Sequence, residues 1–237
     1  MNPPKFGKIY IAVDLSNVDG LPDSKKTEYE KFIRSRSPMK PIFIEPRYTY
    51  FAINSLVRYN ENLTTNSPNT IKAIVLAEIN NFNEDYLDDF NVTLRSSKFA
   101  SMIDDADTSI ISNITDINLF KKLNPDTTIP VNITINFGIE INTSYKDERI
   151  NPYNIRSSIY SSSFVYKGVS VHLEDKDGII NIVSNSTKDV LTNIGTVDYT
   201  SGIIKLNNIT FDSYSDDYFK IYCEPLDKDI TLPKDTI

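Results

Sequence analysis

Apolar residues along this chain change their spacing near its middle. Up to Leu123, runs of β-branched and aromatic residues alternate with stretches whose apolar groups recur every three or four positions, whereas beyond Pro130 the spacing is two. Spacing of three and four lines up one face of a helix, and spacing of two sends successive side chains to opposite faces of a strand.

The run GKIYIAVDL from Gly7 reads as a buried strand, bounded by prolines before it and by Ser16, Asn17, Asp19 and Gly20 after it. Tyr29, Phe32 and Ile33 then mark a charged helix with Asp23 as its cap, which Pro38 and Pro41 end before a short strand at Ile42 to Glu45. Tyr48 to Tyr59 alternates with apolar groups on both faces, as in a strand at least partly covered on each side. Ser67 followed by Pro68 is a helix start, and Ile71, Ile74, Val75, Ile79, Phe82 and Tyr86 give that helix one apolar face. A short strand near Val92 and Leu94 follows, then a small helix presenting Phe99, Met102, Ile103 and Ala106. Ile110 and Ile111 lead into an apolar run from Ile114 to Phe120. Strand, helix, strand, strand, helix, strand, with an insert before the last, is the order of a ferredoxin-like split α/β sandwich, expected over residues 1–125.

Over residues 126–237 the pattern predicts a mostly antiparallel β domain with hairpins, so the fold class expected for the whole chain is α+β. Val131, Ile133, Ile135, Phe137, Ile139 and Ile141 alternate with polar partners as one long strand. Glu148 to Ser163 begins as a short helix or loop. Val165 to Leu173 and the strand from Ile179 form a hairpin across Asp175 to Gly178, Gly195 to Tyr199 pairs with Ile203 to Leu206, and Tyr218 to Cys223 closes the set. No helix of useful length is expected beyond about Arg149.

Composition narrows the function more than the fold. With 237 residues, 40% of them hydrophobic, the chain can bury a core without metals or disulfides. Its 25 Lys and Arg against 32 Asp and Glu give a net charge of −7, which disfavours a nucleic-acid partner; the stretch Lys31, Arg34, Arg36, Lys40 reads as a solvated helix end. Cys223 is alone, so neither an intramolecular disulfide nor a cysteine zinc site can form, and the single His172 removes sites needing two imidazoles. No long apolar run and no signal-peptide segment occur, so a cytoplasmic chain with no membrane partner is expected. The Asn-Xaa-Ser/Thr triplets at Asn62, Asn91, Asn113, Asn132, Asn142, Asn185 and Asn208 then read as a by-product of abundant asparagine.

Candidate chemistry is thin. Asp104, Asp105 and Asp107, or Asp175, Asp177 and Asp198, offer oxygen ligands but lack calcium-loop spacing, so no metal and no cofactor is expected. His172 lies beside Ser170 without a nucleophile elbow, Cys223 shares its face with Phe219 and Ile221, and no glycine-rich phosphate loop exists; no catalytic residue and no enzyme is expected. Tyrosine is abundant, with 14 copies and no tryptophan, and Tyr145, Tyr153, Tyr160 and Tyr166 bracket the Ser-rich segment. A carbohydrate- or receptor-binding β module therefore stays open as an alternative, and a carboxylate-based hydrolase as a remoter one.

Several segments carry a resemblance: GKIYIAVDLSNVDGLPDSKKTEYEKFIRSR, IFIEPRYTYFAINSLVRYN, SPNTIKAIVLAEINNFN, FNVTLRSSKFASMIDDADTSIISNITDINLFKK and IGTVDYTSGIIKLNNI. Together, from about Gly7 to Asp229, they resemble the C-terminal part of the baseplate wedge proteins of contractile-tailed, T4-like phages, within the wider baseplate J-like group. The resemblance implies a structural subunit of the virion's tail baseplate, assembled in the host cytoplasm, with homomeric and wedge contacts in an inner ring around the hub. It also implies that Ser101 to Asn113 belongs to the α/β part that meets other baseplate chains, and that an N-terminal portion present in the family is absent here. A homodimer is the expected solution state. If the far end of the long helix is uncovered, Phe82, Tyr86 and Phe90 are its candidate interface anchors.

Overall fold

A computed structural model describes residues 7–13, 21–143 and 157–232. The chain begins with β1 (Lys8–Ala12), α1 (Asp23–Arg34) and β2 (Lys40–Ile44). β1 pairs with β2 in parallel, Lys8 opposite Lys40 through Ala12 opposite Ile44. Asp23 is the first residue of α1 and not its cap; its carboxylate meets Lys26 at 3.2 Å, while the carbonyl of Pro22 accepts from the amides of Lys25 and Lys26. α1 buries none of its side chains, and among the described residues of this βαβ unit only Leu21 and Pro41 are buried.

β3 (Tyr50–Tyr59), α2 (Pro68–Tyr86), β4 (Thr93–Leu94), α3 (Ser96–Asp105) and β5 (Ile110–Leu123) follow. α2 starts as its sequence predicts: the Ser67 hydroxyl accepts from the Thr70 amide at 3.2 Å and Pro68 occupies the first turn. Its buried face is Ile71, Val75 and Phe82, and that of α3 is Phe99 and Ile103. α3 packs on β5, and α2 packs on α3.

Here the expected ferredoxin-like sandwich fails. That arrangement needs another strand inserted between the first two, but β1 and β2 pair directly with each other and form a sheet of their own. β3 instead runs antiparallel to β5 over its whole length, from Tyr50 opposite Phe120 to Tyr59 opposite Ile110, and β4 pairs with a strand from the far end of the chain. Element order was right in outline; the choice of partners, which order does not determine, was not. The chain is mostly antiparallel β, built on one large sheet.

The remaining strands are β6 (Val131–Asn136), β7 (Ile159–Ser161), β8 (Phe164–Tyr166), β9 (Val169–Lys176), β10 (Ile179–Ser184), β11 (Val190–Asp198), β12 (Ile203–Ile209), β13 (Ser213–Tyr214), β14 (Phe219–Cys223) and β15 (Ile230–Thr231). With β3 and β5 they form an 11-stranded sheet whose main path is β3-β5-β14-β7-β9-β10-β11-β12-β6, with β8 and β13 beside it; β15 pairs with β4. The sheet thus runs straight through the sequence position, near residue 125, where the α/β and β halves were expected to part. The β9–β10 hairpin turns at Asp177 and Gly178, both at positive φ (51° and 85°), the backbone of a tight two-residue turn. The regular strand after Pro130 ends at Asn136: the Asn136 side chain accepts from the Gly138 amide at 2.7 Å and Gly138 sits at φ 69°, while the Phe137 and Ile141 amides still donate to the carbonyls of Gly202 and Tyr199 and Ile141 bridges to Pro225. Among the described residues all three α-helices precede Ala106. Most of the expected helix or loop at Glu148 to Ser163 lies outside the described residues.

One continuous core joins Phe99 and Ile103 under β5 to Leu119, Ile221, Leu173, Ile180 and Ile204 along the sheet. Phe164, Phe211 and Phe219 form a cluster within it, ring centres 4.9 to 5.4 Å apart.

Candidate functional site

Pairing across the sheet places one side chain from each of four adjacent strands in a row on the face turned away from the core. Tyr50 of β3 lies opposite Phe120 of β5, Phe120 opposite Tyr222 of β14, and Tyr222 opposite Tyr160 of β7. Ring centres are 5.1, 5.3 and 4.7 Å apart, and Tyr160 and Tyr222 are within 5° of parallel. Lys122 sits 4.0 Å above the Tyr50 ring. Because each ring turns its face to the next, the row rigidifies the sheet and does not offer the flat platform that sugar stacking requires. The carbohydrate-module alternative loses its main attraction here. On the same sheet face Leu56 and Ile114 are directly opposed and each about 60% exposed (58% and 61%), an apolar patch with no cover from the described residues.

Among the described residues β3 is a terminal strand of the sheet. Beside it, on the core side, a groove of about 640 Å³ separates the strand from α2 and is lined by Ile53, Val57, Ile71, Val75, Leu76 and Ile79 among others. A smaller hollow of about 320 Å³ continues past Phe51, Asn83 and Asp88. α2 rests on α3, and the groove runs between it and the strand. Sequence reading missed both features. Alternation in Tyr48 to Tyr59 marks a strand; its position at the end of the described sheet depends on pairings that no local signal carries.

Of the three expected anchors, Phe82 is 5% exposed and packs edge-on against Phe99 at 5.2 Å, so its ring serves the chain's own core. Tyr86 is half exposed, 4.9 Å from Phe82, with Lys98 lying 3.5 Å over its face; Phe90 is half-buried.

The residues considered for chemistry are engaged elsewhere. His172 of β9 is half-buried, with Nδ1 2.6 Å from the Asn185 side-chain oxygen and Nε2 2.7 Å from Glu174; the hydrogen bond to Glu174 raises its pKa against the opposing effect of burial, and Asn185 adds to the rise. Ser170 accepts from Asn185 at 2.7 Å, so no serine–histidine pair forms. Burial drives the Cys223 thiol pKa far up, which keeps it protonated and unreactive. Asp175 is buried and its carboxylate accepts from the Ser157 hydroxyl (2.6 Å), the Ile159 amide (2.7 Å) and the Tyr199 hydroxyl (2.5 Å), tying β7 and β11 to the β9–β10 hairpin. Asp107 and Asp198 close short turns onto Ser109 and Ser201, and those hydrogen bonds lower their pKa values; Asp104 accepts from Asn113. Among the described residues no three His, Cys, Asp or Glu side chains gather as metal ligands, and no helix is long and apolar enough to cross a membrane. Tyr145 and Tyr153 lie outside the described residues, and Tyr166 borders the core under Lys167.

Comparison with known proteins bears out the resemblance read from the sequence. Residues 47–122, which hold β3, α2, β4, α3 and most of β5, match the family model described as baseplate structural protein gp6, C-terminal domain III. Nearly the whole chain (98%) aligns with baseplate wedge protein gp6 of Enterobacteria phage T4, 24% identical over 272 residues. The chain spans 41% of that relative's length. It is a protein similar to the C-terminal part of a phage baseplate wedge protein.

Proposed function

We propose that this chain is a structural part of a contractile phage tail baseplate, located in the virion and assembled in the host cytoplasm, and that it makes homomeric and wedge contacts in the inner ring around the hub. The observation that carries the reading is the match of residues 47–122 to the baseplate domain, because that segment supplies the terminal strand of the described sheet, the groove and the α2–α3 layer. Physical chemistry supports it: the exposed groups on this part of the chain, Leu56, Ile114, Leu76 and Tyr86, suit broad complementary contacts. His172, Ser170, Asp104, Asp107, Asp175 and Asp198 are held in structural hydrogen bonds, and Cys223 is buried.

Tyr86 remains a candidate anchor, with Phe90 beside it at the end of the long helix. Sedimentation of the chain alone, and again after mixing with other baseplate components, tests the reading. Higher-mass species are expected in both cases, with Tyr86→Ala lowering their fraction. A chain that stays at 27.0 kDa in every mixture would overturn it.

A further inference from the structure

We infer that residues 229–232 form a strap that locks the α2–α3 layer to the large sheet. This part of the protein then has a closed state with the strap docked and an open state with it released, while the sheet stays folded in both. Such a device goes beyond the baseplate reading and does not depend on it.

α3 starts without a cap of its own: Arg95 stands at the capping position and makes no side-chain hydrogen bond to the first turn. The acceptor comes from 133 positions further along. One oxygen of the Asp229 carboxylate accepts from the Ser96 amide at 2.9 Å and from the Ser96 hydroxyl at 3.0 Å, and a negative charge at that end also suits the helix dipole. Just beyond Asp229, a spacing of two sends Ile230 and Leu232 inward, each 2% exposed, while Thr231 stays outside with its hydroxyl 3.0 Å from that of Thr93. Ile230 lies opposite Leu94 in the β15–β4 pair, and the Leu232 amide donates to the Val92 carbonyl at 3.2 Å. Four residues from outside the matched domain thus complete a strand, a helix start and a piece of core inside it.

The strap is fixed at its root and lightly held at its tip. At the root, the Leu226 amide donates to the Glu140 carbonyl at 3.0 Å, Pro225 bridges to Ile141, and Lys228 lies 3.3 Å from Asp116 and 3.5 Å from Glu224. The Asp227 carboxylate then accepts from the Asp229 amide at 2.9 Å, making the turn by which the chain leaves the sheet. At the tip, β15 and β4 are two residues each and form a sheet apart from the large one. The side-chain hydrogen bonds of Asp229 and Thr231 are open to water and contribute modestly, so the hold comes mainly from burying Ile230 and Leu232. A segment held this way opens at lower free energy than strands flanked on both sides. Its release reaches beyond β4: Phe99 of α3 packs edge-on against Phe82 of α2 at 5.2 Å, and Phe82 lies 4.9 Å from Tyr86, so a loosened α3 loosens the surface around Tyr86.

The test is hydrogen exchange on the full chain and its variants. Asp229→Ala removes the acceptor at an exposed position and should speed exchange of the Ser96 amide and of the amides from Phe99 to Met102 about fivefold. Asp229→Asn keeps an acceptor oxygen and should restore most of that protection. Ile230→Ala empties part of the buried seat and should speed the same amides about thirtyfold or more. In all three, the amides of Ile180 and Ile182 in the large sheet should keep their rates. If those sheet amides speed up as much as the α3 amides do, layer and sheet open as one unit and there is no strap. If the α3 amides keep their rates in Asp229→Ala, the segment does not hold the helix and the inference falls. Asp229 touches no buried group, so this outcome can be read even if Ile230→Ala fails to fold.

Discussion

The two ends of this chain solve the problem of burying apolar groups very differently. In the β1–α1–β2 unit, Ile9, Tyr10, Tyr29, Phe32 and Met39 are each more than a third exposed and α1 has no buried side chain. In the β9–β12 part of the large sheet, Val171, Leu173, Ile180, Ile182 and Ile204 are wholly inaccessible. The strands of the first unit are no poorer in apolar residues than those of the second. What separates them is the number of neighbours: a two-stranded parallel sheet with one helix covers one side at best, whereas each inner strand of the large sheet gains two flanking strands and a packed face. Stability should therefore be unevenly distributed, with the first unit opening independently of the rest.

Four measurements sharpen that contrast. Phe219→Ala removes a fully buried ring from the Phe164–Phe211 cluster and should cost about 3–5 kcal/mol in chemical denaturation. Gly195→Ala comes next: a Cβ there would lie 2.1 Å from the Lys205 carbonyl oxygen, so β11 and β12 must move apart, a loss of about 1–3 kcal/mol or somewhat more. At the other end, Phe32→Ala deletes a ring of similar size that is half exposed and lies under the Arg36 guanidinium at 4.1 Å; the same denaturation should shift by about 0.5 kcal/mol or less. Equal losses for the two phenylalanines would erase the distinction between the regions.

The smallest effect is electrostatic. The hydrogen bond to Glu174, helped by Asn185, raises the folded-state pKa of His172 above its ordinary 6.5. A raised folded pKa adds stability that is complete below the unfolded value and is lost as pH rises through the folded one. The chain has one histidine, so its imidazole NMR signal should titrate with a midpoint above 6.5, moving down in Glu174→Gln. A midpoint at or below 6.5 in the unaltered protein would break the assignment.

Much of the local structure could be read in advance, because local signals have local causes. Ser67 and Pro68 begin α2, Phe99 and Ile103 of the expected apolar face of α3 are buried with Met102 and Ala106 half-buried beside them, and Asp177–Gly178 makes its turn. Partner choice was not legible. β5 alternates well enough to pair with any strand, and it pairs with β3, about 60 residues earlier, on one side and with β14, about 100 later, on the other. For the same reason Gly138, which ends the pairing of a faultless alternation, looked like one more polar-side residue. The place of β3 at the end of the described sheet could not be seen from its own residues, since strand order is set by pairings far apart in sequence. Phe82 has the right helical spacing for either an exposed or an internal face, and the presence of Phe99 decided between them.

β5 has a consequence for synthesis. Its neighbour β14 begins at Phe219, and the strand that covers β4 begins at Ile230. A nascent chain leaves the ribosome with its front end first, at about 5–20 residues per second, so β5 must stay unmatched on one side for several seconds while the later strands are made. During that interval its apolar face is open to chaperones and to other copies on the same polysome. Closure of the sheet is thus a late event, which waits on residues about 100 positions downstream of the strand they complete.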